Sequence, residues 1–242
     1  MTIRSPRWLL PATLVLLVGA AGWSETPPAN EEQKPTGAPP DLNSKFVDPD
    51  LDVDAWIERF EVESREVYAM RDEVLRATGI EAGSRIVDIG AGTGFYTRLF
   101  AKAAGPDGWV YAVEISPRFL EHINQWATDA DADNVTAILG RTDDISLPAD
   151  SVDLAFICDT YHHFEAVVPT LASIRRALAP GGVLVVIDFE KIPGKSSSFI
   201  MGHVRAGKEV FRDEIEAEGF AFVEEVEISG FEENYFLKFR RE

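Results

Sequence analysis

The chain has 242 residues, 45% of them hydrophobic, with 23 Lys and Arg against 41 Asp and Glu for a formal net charge of −18. That length supports one domain with a sizeable core rather than two. So acidic a surface repels phosphate backbones, which excludes nucleic acid as a main partner.

At the N-terminus, Arg4 and Arg7 precede an uncharged, mostly apolar run from Trp8 to Trp23 that ends in small residues, Gly19 to Gly22. Residues 1–24 therefore have the order of a secretory signal peptide, with cleavage after Gly22 or Ser24. The run of about sixteen residues is shorter than a spanning helix needs. Left uncleaved, it would tether the protein to a membrane with the domain facing outward, so export to the periplasm is expected in either case. Residues 25–50, "ETPPANEEQKPTGAPPDLNSKFVDPD", lack apolar periodicity and read as a disordered Pro-rich linker. The remaining domain is 51–242.

Within that domain, apolar Trp56, Phe60, Val67, Met70 and Val74 recur at near-helical spacing, giving one or two helices that Gly79 closes. Strands then follow at "RIVDIG", "GWVYAVEI", "VTAILG", "VDLAFICD" and "GVLVVIDF", with helices around 94–104, 117–130 and 169–178 between them. A helix near 207–218 and two strands, "AFVEEVEIS" and "YFLKFRR", complete the chain. Apolar strands alternating with helices predict an α/β, doubly wound, mostly parallel Rossmann-like sheet. The two terminal strands, with no helix between them, predict an antiparallel hairpin at its edge.

Ligands in such sheets bind beyond the carboxyl ends of the strands. The first strand ends in Asp88, followed by Gly90, Gly92 and Gly94. A dinucleotide turn needs a third glycine three positions after the second, where this chain has Phe95. That disfavours a nicotinamide-dependent oxidoreductase. Glu114, ending the second strand, stands where a carboxylate accepts ribose hydroxyls, and Asp143 in "GRTDDISLP" follows the third strand, placed to accept from an adenine amino group.

With these acids and glycines in order, the sequence resembles the class I S-adenosylmethionine-dependent methyltransferases. "VDIGAGTG", "VYAVEIS", "DDISLPADSVDLAF" and "ALAPGGVLVVIDF" are similar to that family's successive motifs. The resemblance implies the seven-stranded methyltransferase fold, S-adenosylmethionine as cofactor and a small-molecule substrate. It also implies that Asp88, Gly90, Gly92, Gly94, Glu114, Asp143 and Asp144 bind the cofactor.

Methyl transfer from a sulfonium needs alignment, and a base for a protonated acceptor oxygen or nitrogen. In "CDTYHHFE", after the fourth strand, Asp159, Tyr161, His162 and His163 are the candidate catalytic residues. His162 is favoured as base and Tyr161 as an orienting donor. Adjacent histidines in one turn are expected to diverge, one in the site and one supporting it. His203 and Arg205, in the long connection after the fifth strand, are candidate substrate contacts, Arg205 for an anionic group. The histidine spacing matches no recognised ligand pattern, so no metal is expected. Cys158, the single cysteine, reads as a buried filler. The competing reading is an exported, catalytically inactive module that kept the fold to bind an adenosine ligand.

Overall fold

The computed structural model describes residues 1–2 and 37–242. The expected signal segment therefore lies outside the described residues, apart from Met1 and Thr2. Helices α1 (Val53–Phe60), α2 (Glu66–Ala69) and α3 (Arg71–Thr78) come first, and Gly79 closes α3 in the left-handed conformation. Strands and helices then alternate as β1 (Arg85–Ile89), α4 (Phe95–Ala104), β2 (Trp109–Glu114), α5 (Pro117–Asp129) and β3 (Val135–Leu139). There follow β4 (Val152–Cys158), a 3-10 turn at Tyr161–His163, α6 (Val167–Ala177) and β5 (Leu178–Phe189). Last are α7 (Ser198–His203), α8 (Lys208–Ala217), β6 (Phe220–Glu225) and β7 (Asn234–Arg241).

The strands form one seven-stranded sheet in the order β3-β2-β1-β4-β5-β7-β6. Strands β1 to β5 pair in parallel, because each crossover passes through a helix or a long turn. β7 runs antiparallel to both β5 and β6. The terminal pair is thus antiparallel as expected, but its second strand is inserted against β5 and leaves β6 on the edge. β6 also stops earlier than its sequence pattern suggests. The chain leaves it for a loop whose amides at Glu232, Glu233 and Asn234 are taken by the Glu66 carboxylate of α2.

Alternate side chains along each strand enter opposite layers, which explains the unbroken apolar runs. Val87, Ile89, Ile157 and Val186 face α6 and α8, meeting Leu171, Ile174, Phe211 and Ile215. Ile86, Phe156 and Ile187 face the other way, against Val74, Tyr96 and Phe100. Phe156 sits between the rings of Tyr96 and Phe100 at 4.8 and 4.9 Å. Each fully buried side chain of this size contributes about 1.5–3 kcal/mol. Among the described residues no helix is long and apolar enough to cross a membrane.

The linker assignment is corrected from Gly37 onward. Pro40–Leu42 is a 3-10 turn, Ala38 donates its amide to the Phe164 carbonyl at 2.7 Å, and Ala38 and Asn43 are buried. Polar composition concealed this because the attachment is made by a backbone amide and one asparagine, not by a periodic apolar face.

Candidate active site

A cavity of about 480 Å³ opens where β1 and β4 lie side by side and their crossovers leave in opposite directions. That is the expected place for a ligand in an open α/β sheet. One end is the glycine loop after β1; the other is the 3-10 turn after β4. Asn43, Phe46, Trp56 and Phe60, from the N-terminal segment and α1, close the outer side.

The glycine loop is shaped by its own amides and by Glu114. Gly90 and Ala91 donate to the Val113 carbonyl, bending the chain off β1 with Gly90 at φ 72°. A side chain at Gly90 would strike Thr160 Cγ2, 2.3 Å from an ideal Cβ. At Gly92, φ is 53° and the nearest atom to such a Cβ is Phe60 at 3.8 Å, so the glycine leaves cavity space open rather than avoiding a clash. Glu114 Oε2 accepts the Gly92 amide at 2.9 Å, and Oε1 accepts those of Ile115 and Ser116 at 2.8 and 3.0 Å. Burial still pushes its carboxyl above the ordinary range, more strongly than the three amides pull it down. Asp88 is tied to α4 by the Thr97 hydroxyl at 2.6 Å, and burial raises it to about 7. Glu61, at the end of α1, braces the loop from outside through Thr93 (2.8 Å) and Arg98 (2.6 Å).

Asp88, Gly90, Gly92 and Glu114 all line the cavity, and Gly94, also at positive φ, starts α4 just beneath it against Ile123. Asp143 and Asp144 are the exceptions. Asp143 is 45% exposed and pairs with Arg141, while Asp144 accepts the Ser146 amide and both oxygens face Arg176. Their loop turns back on itself, Arg141 amide to Asp144 carbonyl, which directs both acids outward and leaves Gly140, Arg141, Thr142 and Ile145 at the cavity. An adenine-side carboxylate from this loop is therefore not what the structure provides.

The residues present fit the expected cofactor. Glu114 Oε2 accepts one amide and keeps a lone pair for a hydroxyl. Carboxyl groups at Asp88, Glu114 and Asp159 give the cavity an acidic lining, and Ile115, Phe119 and Ile145 supply apolar walls.

At the other end His162, 1% exposed, is held by Asp188 at the end of β5. Asp188 Oδ1 is 2.7 Å from His162 Nδ1 and Oδ2 accepts the His162 amide at 3.0 Å; Phe189 donates its amide to Oδ1 at 2.8 Å. A carboxylate can only accept here, so Nδ1 carries a proton, and in the neutral ring Nε2 keeps its lone pair. That Nε2 is buried without a hydrogen-bond partner among the described residues, on a residue that lines the cavity.

His163 does not diverge from His162: their ring centroids are 4.3 Å apart, and His203 of α7 stands 5.0 and 5.1 Å from them. A 3-10 turn places successive side chains about a third of a revolution apart, close enough for both rings to enter one cavity. Asn43 holds His163, its amide group donating to the His163 carbonyl (3.0 Å) and to Glu165 (2.8 Å), which leaves Asn43 Oδ1 facing His163 Nδ1 at 2.9 Å. Burial, reinforced by the neighbouring imidazoles and Lys45, lowers His163 to about 2 and His203 to about 4.

Three other expected residues have structural partners instead. Asp159, at φ 48°, is gripped by Arg65 and by Asn234 Nδ2 at 2.7 Å; it lines the cavity as part of its wall. Tyr161 is fully buried and donates to Glu214 at 3.1 Å, away from the cavity. Arg205 binds both Glu214 oxygens at 2.7 and 2.6 Å, against the faces of Tyr161 and Phe211. Neither Tyr161 nor Arg205 is placed to meet a substrate. Cys158 has its thiol pushed well up by desolvation, but it is only partly buried and lines the cavity, so it is not the buried filler expected. Sequence reasoning missed Asp188 and Asn43. An acid ending the buried run "GVLVVID" was a readable signal for the first; nothing marked the second.

Residues 87–186 match a family model described as a methyltransferase domain. The chain is 28% identical over 131 residues to a demethylmenaquinone methyltransferase of Listeria monocytogenes, covering 53% of this chain and 55% of that one. It is 30% identical over 115 residues to a ubiquinone/menaquinone biosynthesis C-methyltransferase UbiE of Hahella chejuensis, covering 47% and 46%. It thus spans about half the length of the curated relatives it matches. A SAM-dependent methyltransferase from Aquifex aeolicus has the same fold, with a TM-score of 0.68 at 23% identity over 78% of this chain and 98% of that one.

Proposed function

We propose that this chain, whose residues 87–186 match a methyltransferase-domain model, is a class I S-adenosylmethionine-dependent methyltransferase that transfers a methyl group to a small molecule with a flat apolar body and an acidic hydroxyl or amine. The observation that carries the acceptor side is His162, whose buried Nε2 has no partner and whose Nδ1 is fixed by Asp188. The cofactor, when bound, supplies a methyl carbon on a sulfonium sulfur that departs with the bonding pair.

The chain's own residues do the rest. Glu114 would hold the ribose, while the loop from Gly90 to Gly94, with Asp88, Asp159 and Arg65, would face the methionine portion. His162 Nε2 takes the acceptor's proton as its lone pair commits to the new bond, and Asp188 stabilises the imidazolium that results. Phe46, Phe189 and Phe199 surround the histidines and exclude water from a flat acceptor. General-base help of this kind contributes about 10²–10⁴-fold. The names of the curated relatives favour an aromatic ring carbon as the methyl acceptor. A carbon beside an ionised hydroxyl would use the same lone pair on His162. Export of the domain, which the leader suggests, is part of this reading.

Titration calorimetry of the full chain with S-adenosylmethionine and its demethylated product tests the cofactor half; no binding would end the proposal. Labelled-methyl transfer to a panel of hydroxylated aromatics tests the acceptor half. His162→Ala should lose about 10²-fold or more in transfer while cofactor binding stays within twofold. Equal turnover would remove His162 as base. A reporter fused to the C-terminus reads the compartment, and cytosolic activity would withdraw export.

A further inference from the structure

His162, His163 and His203 bring one ring nitrogen each to within 4.8 Å of the others. Among the described residues no other group of three His, Cys, Asp or Glu converges in this way. Two of the three arrive already oriented. Asp188 fixes the His162 ring through Nδ1, and Asn43 fixes His163 through its Nδ1. Both contacts leave Nε2 with its lone pair directed elsewhere, and His162 Nε2 is buried and unpartnered. Leaving such an acceptor unmatched is costly. Carboxylate and amide partners on the far nitrogen are the usual outer support of a metal-binding imidazole. His203 has no side-chain hydrogen bond among the described residues; it stacks on Phe199 at 4.8 Å and can turn about that contact. The trio contains no oxygen donor, which disfavours Mg²⁺ and Ca²⁺ and suits Zn²⁺ or Co²⁺.

We propose that the three imidazoles form a site for one divalent transition-metal ion of the Zn²⁺ class, held by His162 Nε2, His163 Nε2 and a ring nitrogen of His203. Around a tetrahedral ion with bonds of about 2.1 Å the nitrogens stand about 3.4 Å apart. The widest separation, at most 4.8 Å, therefore closes by up to about 1.4 Å on loading. Metal and proton compete for His162 Nε2. The fourth position opens on the cavity and, on the methyl-transfer reading (on which only this step rests), receives the acceptor's oxygen or nitrogen. In the loaded chain the acceptor enters as its anion, having released its proton to solvent before binding, and in the metal-free chain the proton goes to His162.

The test uses the full chain, stripped with a chelator and titrated with Co²⁺ and then Zn²⁺, with visible absorption as readout. One Co²⁺ per chain should bind, with the absorption of a four- or five-coordinate nitrogen site, and Zn²⁺ should displace it. His203→Ala, at the least buried of the three, should weaken binding by roughly 100-fold or more, and Asn43→Ala by about 10–100-fold. His122→Ala, on α5 and outside the cluster, should leave it unchanged. Absence of saturable Co²⁺ binding overturns the site. So does binding that survives both His203→Ala and Asn43→Ala, or binding that disappears with His122→Ala. Calorimetry of the same stripped chain with the demethylated cofactor separates the two proposals. Metal binding without cofactor binding sinks methyl transfer and keeps the metal site; cofactor binding without metal binding does the reverse.

Discussion

Replacing Glu114 by glutamine changes one oxygen of a carboxylate into an amide group and nothing else of size. In the native chain Oε1 accepts two amides, from Ile115 and Ser116, and Oε2 accepts one, from Gly92. Glutamine can reproduce only one of these faces. If its carbonyl keeps Ile115 and Ser116, its NH₂ points at the Gly92 amide, donor against donor. If it flips, two amides are orphaned. The smaller loss removes one charge-assisted bond, about 1.5–3 kcal/mol, and leaves a buried donor unmatched, about 1–3 kcal/mol. Burial offsets part of this, because the native carboxyl is itself raised by desolvation. A net destabilisation of about 2–3 kcal/mol is expected, or roughly 5–10 °C in Tm for a domain of this size. Gly92 would move, and the lone pair for a ribose hydroxyl would go with it. The Kd for the demethylated cofactor should then rise by about 30–150-fold. Calorimetry and a thermal melt on the same preparation check both numbers. A glutamine variant that binds within twofold and melts within 1–2 °C of the parent would refute the assignment of Glu114 as the clamp between loop and ligand.

Asp88 should make the fold less stable as pH rises. Burial lifts its folded-state pKa from 3.8 to about 7. Below the unfolded value both states hold the proton and the contribution is complete. Between about 4 and 7 only the folded state holds it, so stability falls by up to about 1.4 kcal/mol per pH unit. Tm measured from pH 4.5 to 7.5 should therefore decline less steeply in Asp88→Asn than in the parent, and parallel profiles would sink the argument. Gly90→Ala forces a Cβ to 2.3 Å from Thr160 Cγ2 at φ 72°. A loss of about 2–4 kcal/mol is expected in urea melts, partly recovered in the double variant with Thr160→Ser. Arg205→Met strands the buried Glu214 carboxylate and should cost about 3–5 kcal/mol with cofactor affinity unchanged. A stable variant with altered acceptor selectivity would instead restore Arg205 to the substrate site.

The turn after β1 was legible as a structure because its geometry is local. A strand, a turn and a helix start fall within sixteen residues from Arg85 to Phe100, and only glycine suits the backbone where Gly90 bends off β1. The position of Glu114 likewise follows from its strand, whichever way the rest of the chain runs. Asp143 and Asp144 were misjudged because a loop's direction is set by its own amides and by Arg176 on α6, which no spacing reveals. Tyr161 and Arg205 were misjudged for a related reason. Glu214, their partner, is 53 residues from Tyr161 and nine from Arg205, and no spacing shows that the three settle each other's polar groups before any substrate is involved. Asp188 had a signal that went unread, an acid ending a strand otherwise made of aliphatic side chains. Asn43 had none, since a single asparagine in a proline-rich stretch has the composition of a solvated tail.

Asn43 also has a bearing on how the gene is best handled. The match to the methyltransferase domain begins at residue 87 and ends at 186, whereas Asn43 lies ahead of it and His203 behind. A version trimmed at Asp50, which removes the whole proline-rich N-terminal stretch, would keep every group proposed for the nucleoside. It would discard Asn43, which holds His163 by hydrogen bonds, and Phe46, whose ring packs against it. Such a truncation should express as a sound cofactor binder with a slack acceptor pocket, and an inactive result from it would describe the boundary chosen rather than the enzyme.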